Sequence, residues 1–174
     1  MLKNKQKGFT LIELIVVMAI IVILTTLVLA NYRDGQKRYA LSQSAQQLAS
    51  DLRRIQNMAM NGVGISAASG RRGYGIYINL ANNDSYIIYA DQNGNNTWQP
   101  SDELIEAINL ANNVKITGVS TPNEKADIYF ESPDPTTYIS NLGGSNNIII
   151  TLGMDSLANT ETVTVTLAGV IQVN

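Results

Sequence analysis

The sequence predicts an α+β fold in which one long N-terminal helix precedes a mainly antiparallel β-sheet domain. An apolar stretch of 22 residues runs from Phe9 to Ala30, and an amphipathic helical pattern follows it as far as Asn61. After Gly64 the spacing of the apolar residues changes from helical to extended, and Asn/Gly turns separate short apolar runs. Together these observations predict one β-rich domain carried on one helical stalk.

The apolar stretch has the length and flanks of a single membrane-spanning helix. As a helix it spans roughly 33 Å, which matches a hydrocarbon core of about 30 Å. Three lysines (Lys3, Lys5 and Lys7) precede it, and the next basic residue is Arg33. Positive charges favour the cytoplasmic side, so we expect the N-terminus inside and the C-terminal domain outside the membrane.

One acidic residue, Glu13, lies near the cytoplasmic end of this helix. An acid costs about 2.5–3.5 kcal/mol at the bilayer centre and less near an end, so it normally implies a partner cation or a function. No basic residue lies between Lys7 and Arg33. Cleavage of the Gly8–Phe9 bond would create an α-amino group on Phe9, which could pair with Glu13 of the same or a neighbouring subunit.

The run from Gly8 to Leu14, GFTLIEL, resembles the type III signal of type IV prepilins and type II secretion pseudopilins. The resemblance implies that prepilin peptidase cleaves after Gly8, that Phe9 becomes N-methylated, and that Glu13 neutralises the N-terminus of the adjacent subunit during assembly. It further implies four partners: prepilin peptidase, other pilin or pseudopilin subunits through the N-terminal helix, an inner-membrane assembly platform and the lipid bilayer. The chain would reside in the cytoplasmic (inner) membrane and then in a periplasmic or surface filament.

Two other interpretations of the N-terminus stay open. One is a secretory signal peptide cut after Ala30, and the other is a plain membrane anchor left uncut at Gly8. A signal-peptide core is usually about 7–15 residues long and avoids acids, so the length of this stretch and Glu13 favour the prepilin interpretation.

The amphipathic half of the helix carries one apolar stripe. Its members recur at spacings of four and three: Leu41, Ala45, Leu48, Leu52, Ile55 and Ala59. We expect the stripe to pack on the chain's own domain, with an intermolecular coiled coil as the alternative. Gly35 lies in a polar segment where the helix would bend or fray, and Asn61–Gly62 predicts its C-terminal end. The predicted segments are a cleaved leader (1–8), a transmembrane helix (9–30), an amphipathic helix (31–61) and a β-rich domain outside the membrane (62–174).

Short apolar runs predict the strands of the β-rich domain. Residues 74–78 and 85–89 predict a hairpin turning at 82–84. Further predicted strands are 104–110, 114–117, 128–131, 148–152 and 162–173, the last interrupted at 168–169.

The order of these pieces resembles the GspH/FimT group of minor pseudopilins and minor pilins. The similar segments are Gln47–Arg54, the Gly73-Tyr74-Gly75 strand, Asp91–Asn95 and the final strand pair around Ala168-Gly169-Val170. The resemblance implies a minor pseudopilin that serves protein secretion. The alternative is a minor or major type IV pilin that acts in adhesion, motility or DNA uptake, although the chain has no cysteine for the disulfide loop of cysteine-bearing major pilins.

One loop has the oxygen-bearing side chains of a calcium site. Asp91, Asn93, Asn95, Thr97 and Asp102 occupy positions one, three, five, seven and twelve of such a loop. The register is imperfect, because the turn glycine belongs at the sixth position and Gly94 is fourth. The alternative is a hairpin or Ω-type turn in which Asn93–Gly94 supplies a positive φ. No other cofactor is expected.

Composition disfavours several function classes. The chain has no histidine and no cysteine, which removes zinc sites and the usual nucleophile–base pairs. Asp102, Glu103 and Glu106 could serve as an acid–base pair, but a solvated acidic edge is the expected role, so we predict no enzyme. Loss of the leader lowers the basic count from 12 to nine against 14 acids, a formal charge of −5, which disfavours nucleic-acid binding. The FimT-like members that take up DNA carry basic residues toward the C-terminus, whereas Thr160–Asn174 contains none.

Overall fold

The computed structural model describes residues 8–64, 70–111, 113–133 and 136–174, except for the side chains of Ala30 and Asn31. The predicted leader charges Lys3, Lys5 and Lys7 therefore lie outside the described residues. The chain divides into two compact units, one ending at Lys37 and the other covering Arg38–Asn174.

The first unit consists mainly of the N-terminal part of helix α1, which spans Leu11–Met60. All of its side chains from Leu11 to Leu29 are exposed, and within the described residues α1 is the one helix long and apolar enough to cross a membrane. The hydroxyls of Thr25 and Thr26 donate to the carbonyls four residues earlier, at 2.7 and 2.8 Å. These polar groups are thus satisfied within the helix, as a lipid environment requires.

Helix α1 continues through Gly35 without a break, so the expectation that it would fray there is wrong. One glycine costs a helix only about 1 kcal/mol relative to alanine, which uninterrupted helical hydrogen bonding on both sides offsets.

In the second unit the predicted apolar stripe of α1 is confirmed. All six stripe residues are buried, and Ala40, Ser44 and Ala49 widen the buried face. The helix ends at the predicted glycine: Gly62 has a φ of +59°, its N–H donates to Ala59 O, and the N–H of Val63 donates to Met58 O, both at 3.0 Å. This pair of bonds satisfies carbonyls of the last helical turn.

Within the described ranges, nine strands form two antiparallel sheets. Sheet A has the order β3-β2-β1-β5-β6 and sheet B the order β4-β7-β8-β9. The strands are β1 Gly73–Asn79, β2 Ser85–Asp91, β3 Glu103–Asn109, β4 Lys115–Val119, β5 Lys125–Glu131, β6 Thr137–Ile139, β7 Asn147–Met154, β8 Leu157–Thr166 and β9 Ile171–Val173. The α+β fold is confirmed, with every predicted strand present. The sequence missed β6 and the first five residues of β8.

The buried stripe of α1 contributes to one apolar cluster with the inner faces of both sheets. The side chains of Arg53 and Gln56 donate to the carbonyls of Ile171 and Gly169, each at 3.0 Å, beside β9. On the sheet A side, Tyr86 donates its hydroxyl proton to Asp51 at 2.7 Å. The C-terminal part of α1 therefore has polar bonds to both sheets around an apolar interior.

The opposite face of sheet A is covered by a loop over Gln92–Asp102. Trp98 of this loop lies 5.5 Å from Tyr89, measured between ring centroids. Gly75 makes room for the Tyr89 ring, because a Cβ on Gly75 would lie 2.5 Å from that ring. The glycines of the Gly-Tyr-Gly strand thus allow aromatic rings to lie flat against the sheet beneath the loop.

Candidate functional site

The predicted cleavage and methylation residues lie just before α1. Gly8 and Phe9 are exposed, and Phe9 has 88% of its surface accessible. A Cβ on Gly8 would meet nothing within 4 Å. None of the residues that the structure describes therefore blocks the bond between them.

Thr10 and Glu13 form a capping box at the start of α1. The N–H of Glu13 donates to Thr10 Oγ1 at 3.3 Å, and Glu13 Oε2 accepts a bond from the N–H of Thr10 at 3.2 Å. Such reciprocal bonds satisfy two amide groups that have no helical partner. The sequence interpretation gave Glu13 one partner, the Phe9 amine, and missed Thr10. The Thr-x-x-Glu spacing was the signal that could have identified it.

This geometry gives the Glu13 carboxylate a second role. In a single chain it caps the helix and lies at the positive end of the helix dipole, which stabilises a negative charge. Its other oxygen, Oε1, has no hydrogen-bond partner among the described residues. One carboxylate could therefore hold its own helix end and still accept a bond from a neighbouring ammonium group.

The Gln92–Asp102 loop is held by two buried aspartates at its ends. Asp91 accepts bonds from the backbone N–H groups of Asn93, Gly94 and Asn96 at 2.9, 2.8 and 3.1 Å. The three donors share both oxygens of this carboxylate, so the start of the loop wraps around it.

Asp102 closes the other end in the same way. Its Oδ2 accepts the N–H of Gln99 at 2.8 Å, and its Oδ1 accepts the N–H of Gln92 at 3.3 Å and the side-chain amide of Asn93 at 3.1 Å. The oxygens of Asn93 and Asn95 accept N–H groups two residues ahead, each at 3.0 Å.

These contacts are those of a hydrogen-bonded turn. All four carboxylate oxygens of Asp91 and Asp102 accept protein donors, which calcium would have to displace. Among the described residues no three His, Cys, Asp or Glu side chains are grouped so that they could hold a metal. The calcium set that includes Thr97 stays a prediction.

The remaining candidate acids are paired with arginines. Glu103 accepts a bond from Arg71 Nε at 2.7 Å, and this pairing lowers the pKa of Glu103. Glu106 accepts a bond from Arg54 at 2.8 Å. Glu106 is exposed and Glu103 is half-buried, each in an ion pair. Asp102, the third acid of the predicted solvated edge, is buried because its carboxylate accepts the donors of the loop, so that expectation is wrong for Asp102.

The sequence missed a buried acid on β5, Asp127. Its Oδ1 accepts the N–H of Trp98 at 2.7 Å and the hydroxyl of Tyr89 at 3.3 Å, and Ser140 donates to Oδ2 at 3.4 Å. Burial raises the pKa of Asp127, while these bonds oppose the rise. These partners lie 29, 38 and 13 positions away, so no local pattern could have revealed them.

Comparison with known proteins identifies the N-terminal segment. Residues 3–29 match the family described as the prokaryotic N-terminal methylation motif. No curated protein and no solved structure matches the chain. The chain therefore carries a prepilin-type signal, which indicates a type IV pilin-like or pseudopilin-like substrate of prepilin peptidase.

Proposed function

We propose that this chain, whose N-terminus carries a prepilin-type methylation signal, is a minor pseudopilin of the GspH/FimT kind. In this proposal it is a structural subunit of a type II secretion pseudopilus or a type IV pilus-like filament and serves protein secretion. It has no catalytic role. The observation that carries the proposal is the methylation motif in register with an accessible Gly8–Phe9 bond.

The chemistry of the N-terminus supports assembly after cleavage. Proteolysis after Gly8 would leave an ammonium group on Phe9, at the start of the helix that carries Glu13. In a monomer, Thr10 is the partner that the described residues give this carboxylate, through bonds of 3.2 and 3.3 Å. A neighbouring ammonium adds a charge-assisted bond, which is stronger in a low-dielectric medium. Lateral packing of the exposed apolar helices then brings the pair together.

The proposed topology places residues 9–30 in the inner membrane and the β-rich domain outside. The proposed partners are prepilin peptidase, other pilin-like subunits, the assembly platform and the bilayer. The second unit supports this division, because its part of α1 buries its apolar stripe on the chain's own sheets. The first unit leaves its apolar side chains from Leu11 to Leu29 exposed, which makes it the surface that we propose for neighbouring helices.

The motif is common to pseudopilins and pilins, so a minor or major type IV pilin is the second candidate. Deletion of the gene distinguishes the two. A defect in secretion with normal surface pili supports the pseudopilin, whereas loss of pili, motility or DNA uptake with normal secretion supports the pilin.

Processing is tested by mass spectrometry of the natural protein. We expect a mature chain that begins with N-methylated Phe9. An intact Met1 or an N-terminus at Asn31 would contradict the proposal.

Assembly is tested by Glu13→Leu. We expect normal or better membrane insertion but incorporation into filaments reduced about tenfold or more, since a charge-assisted bond contributes about 1.5–3 kcal/mol. Thr10→Val is the matched control, because it weakens the cap and leaves the carboxylate for the neighbouring ammonium. Normal incorporation of Glu13→Leu would refute the assembly role of Glu13.

A further inference from the structure

An open groove of about 580 Å³ runs along the outer edge of β6, the last strand of sheet A. The strand itself and Ser140 form one wall. The other walls come from residues 95–97, from the segment 142–146 and from Leu167, which follows β8. The groove thus lies where the edge of sheet A meets loops of both sheets.

The pairing of β6 with β5 fixes the direction of its backbone groups. The N–H of Ser140 donates to Asp127 O at 2.9 Å, and the N–H of Glu131 donates to Thr136 O at 3.1 Å. In an antiparallel ladder, only every second residue pair exchanges such bonds. The pairs 127/140 and 131/136 are of this kind, so the pair midway between them, 129/138, is as well.

It follows that the backbone groups of Tyr138 face β5, whereas those of Thr137 and Ile139 point away from it. The backbone groups of Thr137 and Ile139 therefore point outward from the edge of sheet A that borders the groove. No backbone bond from either of these two N–H groups to a loop occurs among the described residues. Unpaired groups of this kind are a template for another strand.

The side chains around the groove are polar but uncharged. No Asp, Glu, Lys or Arg is among its lining residues. The side chains of Asn96 and Asn146 line the groove, and their amides have no hydrogen bond within the described part of the chain. The groove therefore offers unused hydrogen-bonding groups without attracting a charged ligand.

We infer that this edge of β6 binds an extended, uncharged segment of another protein as an additional strand. Main-chain bonds to Thr137 and Ile139 would supply affinity, and Leu142 and Leu167 would contact apolar side chains of the segment. The three residues of β6 match a segment of about three to four residues at 3.3 Å each. A second copy fits less well, because two chains that each carry a formal charge of −5 after processing repel each other. The inference does not depend on the proposed secretion role.

Amide hydrogen exchange of the full chain in detergent micelles tests the geometry first. The N–H groups of Thr137 and Ile139 should exchange at least about tenfold faster than that of Tyr138, because only the latter lies in the ladder. Equal protection of all three amides in the monomer would overturn the inference.

Binding is then tested with a library of capped, uncharged heptapeptides passed over the immobilised full chain. A retained peptide should slow exchange at Thr137 and Ile139 about tenfold or more. Asn146→Asp should weaken binding about fivefold or more, since a strand would desolvate the new carboxylate. Asn159→Asp, an exposed position outside the groove, should not.

Three further outcomes would overturn the inference. One is that no peptide is retained. Another is that the chain alone forms dimers in which these amides are protected, which would make a second copy the occupant. The third is that a neutral oligosaccharide such as maltoheptaose binds and protects the same amides while no peptide does.

Discussion

The two units of this chain use the same apolar residues in opposite ways. Leu24 in the first unit has 57% of its surface exposed, whereas Leu48 in the second is fully buried, although both belong to α1. A helix with exposed apolar side chains on all sides needs lipid or other helices around it. A helix with one buried stripe packs that stripe against the sheets of its own chain. The difference shows that one continuous helix has two kinds of surface, one apolar on all sides and one with a single buried stripe.

The two units also differ in the burial and the hydrogen bonds of their acidic side chains. Glu13 is exposed and, among the residues that the structure describes, is bonded to Thr10 alone, whereas Asp91 is fully buried and accepts three backbone donors. The first carboxylate has one oxygen without a hydrogen bond among the described residues, whereas the second uses both of its oxygens to hold a loop.

The largest expected effect comes from truncating a buried leucine of α1. Leu48→Ala should destabilise the second unit by about 2–5 kcal/mol, because it removes a buried side chain and leaves a cavity. Leu24→Ala is the matched control and should leave the thermal unfolding of that unit unchanged. Denaturant unfolding in micelles, followed by Trp98 fluorescence, measures both variants. Equal effects would mean that the two parts of α1 are not in different environments.

The next largest effect is expected from replacing a glycine by alanine, once in each unit. Gly75→Ala should cost about 1–3 kcal/mol, because its Cβ would lie 2.5 Å from the Tyr89 ring and the packing would have to shift. A Cβ on Gly35 would meet no described atom within 4 Å, so Gly35→Ala should stabilise the helix by up to about 1 kcal/mol. Circular dichroism melting compares the two. A neutral Gly75→Ala would show that the Tyr89 ring does not need the space.

A smaller effect concerns the pH dependence of the second unit. Burial raises the pKa of Asp127, so the folded state favours its protonated form relative to the unfolded state. This contribution to stability is present below the ordinary aspartate pKa of about 3.9 and is lost as pH rises through the raised folded value. The stability of the natural chain relative to Asp127→Asn should therefore fall as pH increases above about 4. Melting at a series of pH values measures the trend, with the exposed Asp155→Asn as control. A natural chain that becomes more stable relative to Asp127→Asn as the pH rises would contradict the prediction.

The smallest expected effect is that of calcium on the Gln92–Asp102 loop. Millimolar calcium should shift the melting temperature by no more than about 1 °C, because a ligand stabilises only by binding the folded state and the loop carboxylates already accept protein donors. Calorimetric titration of the full chain in micelles checks the same point. Saturable heat accompanied by a rise in melting temperature would instead establish the site at Asp91, Asn93, Asn95, Thr97 and Asp102.

Much of this protein was determined by its sequence alone. The methylation signal, the stripe of α1 and its end at Gly62 are set by residues a few positions apart, and spacing along the chain reports such local relations directly. The hairpin of β1 and β2 and the alternation in β8 were predictable for the same reason.

Only the tertiary structure decided the rest, because the deciding contacts join residues far apart in the chain. The division into two sheets, the environment of Asp127 and the space that Gly75 leaves for Tyr89 depend on which strands become neighbours. Strand β6 has three residues, too few for a periodic pattern, and forms because β5 offers it an edge. The free edge that results, and the uncharged groove beside it, exist only once the strands have paired.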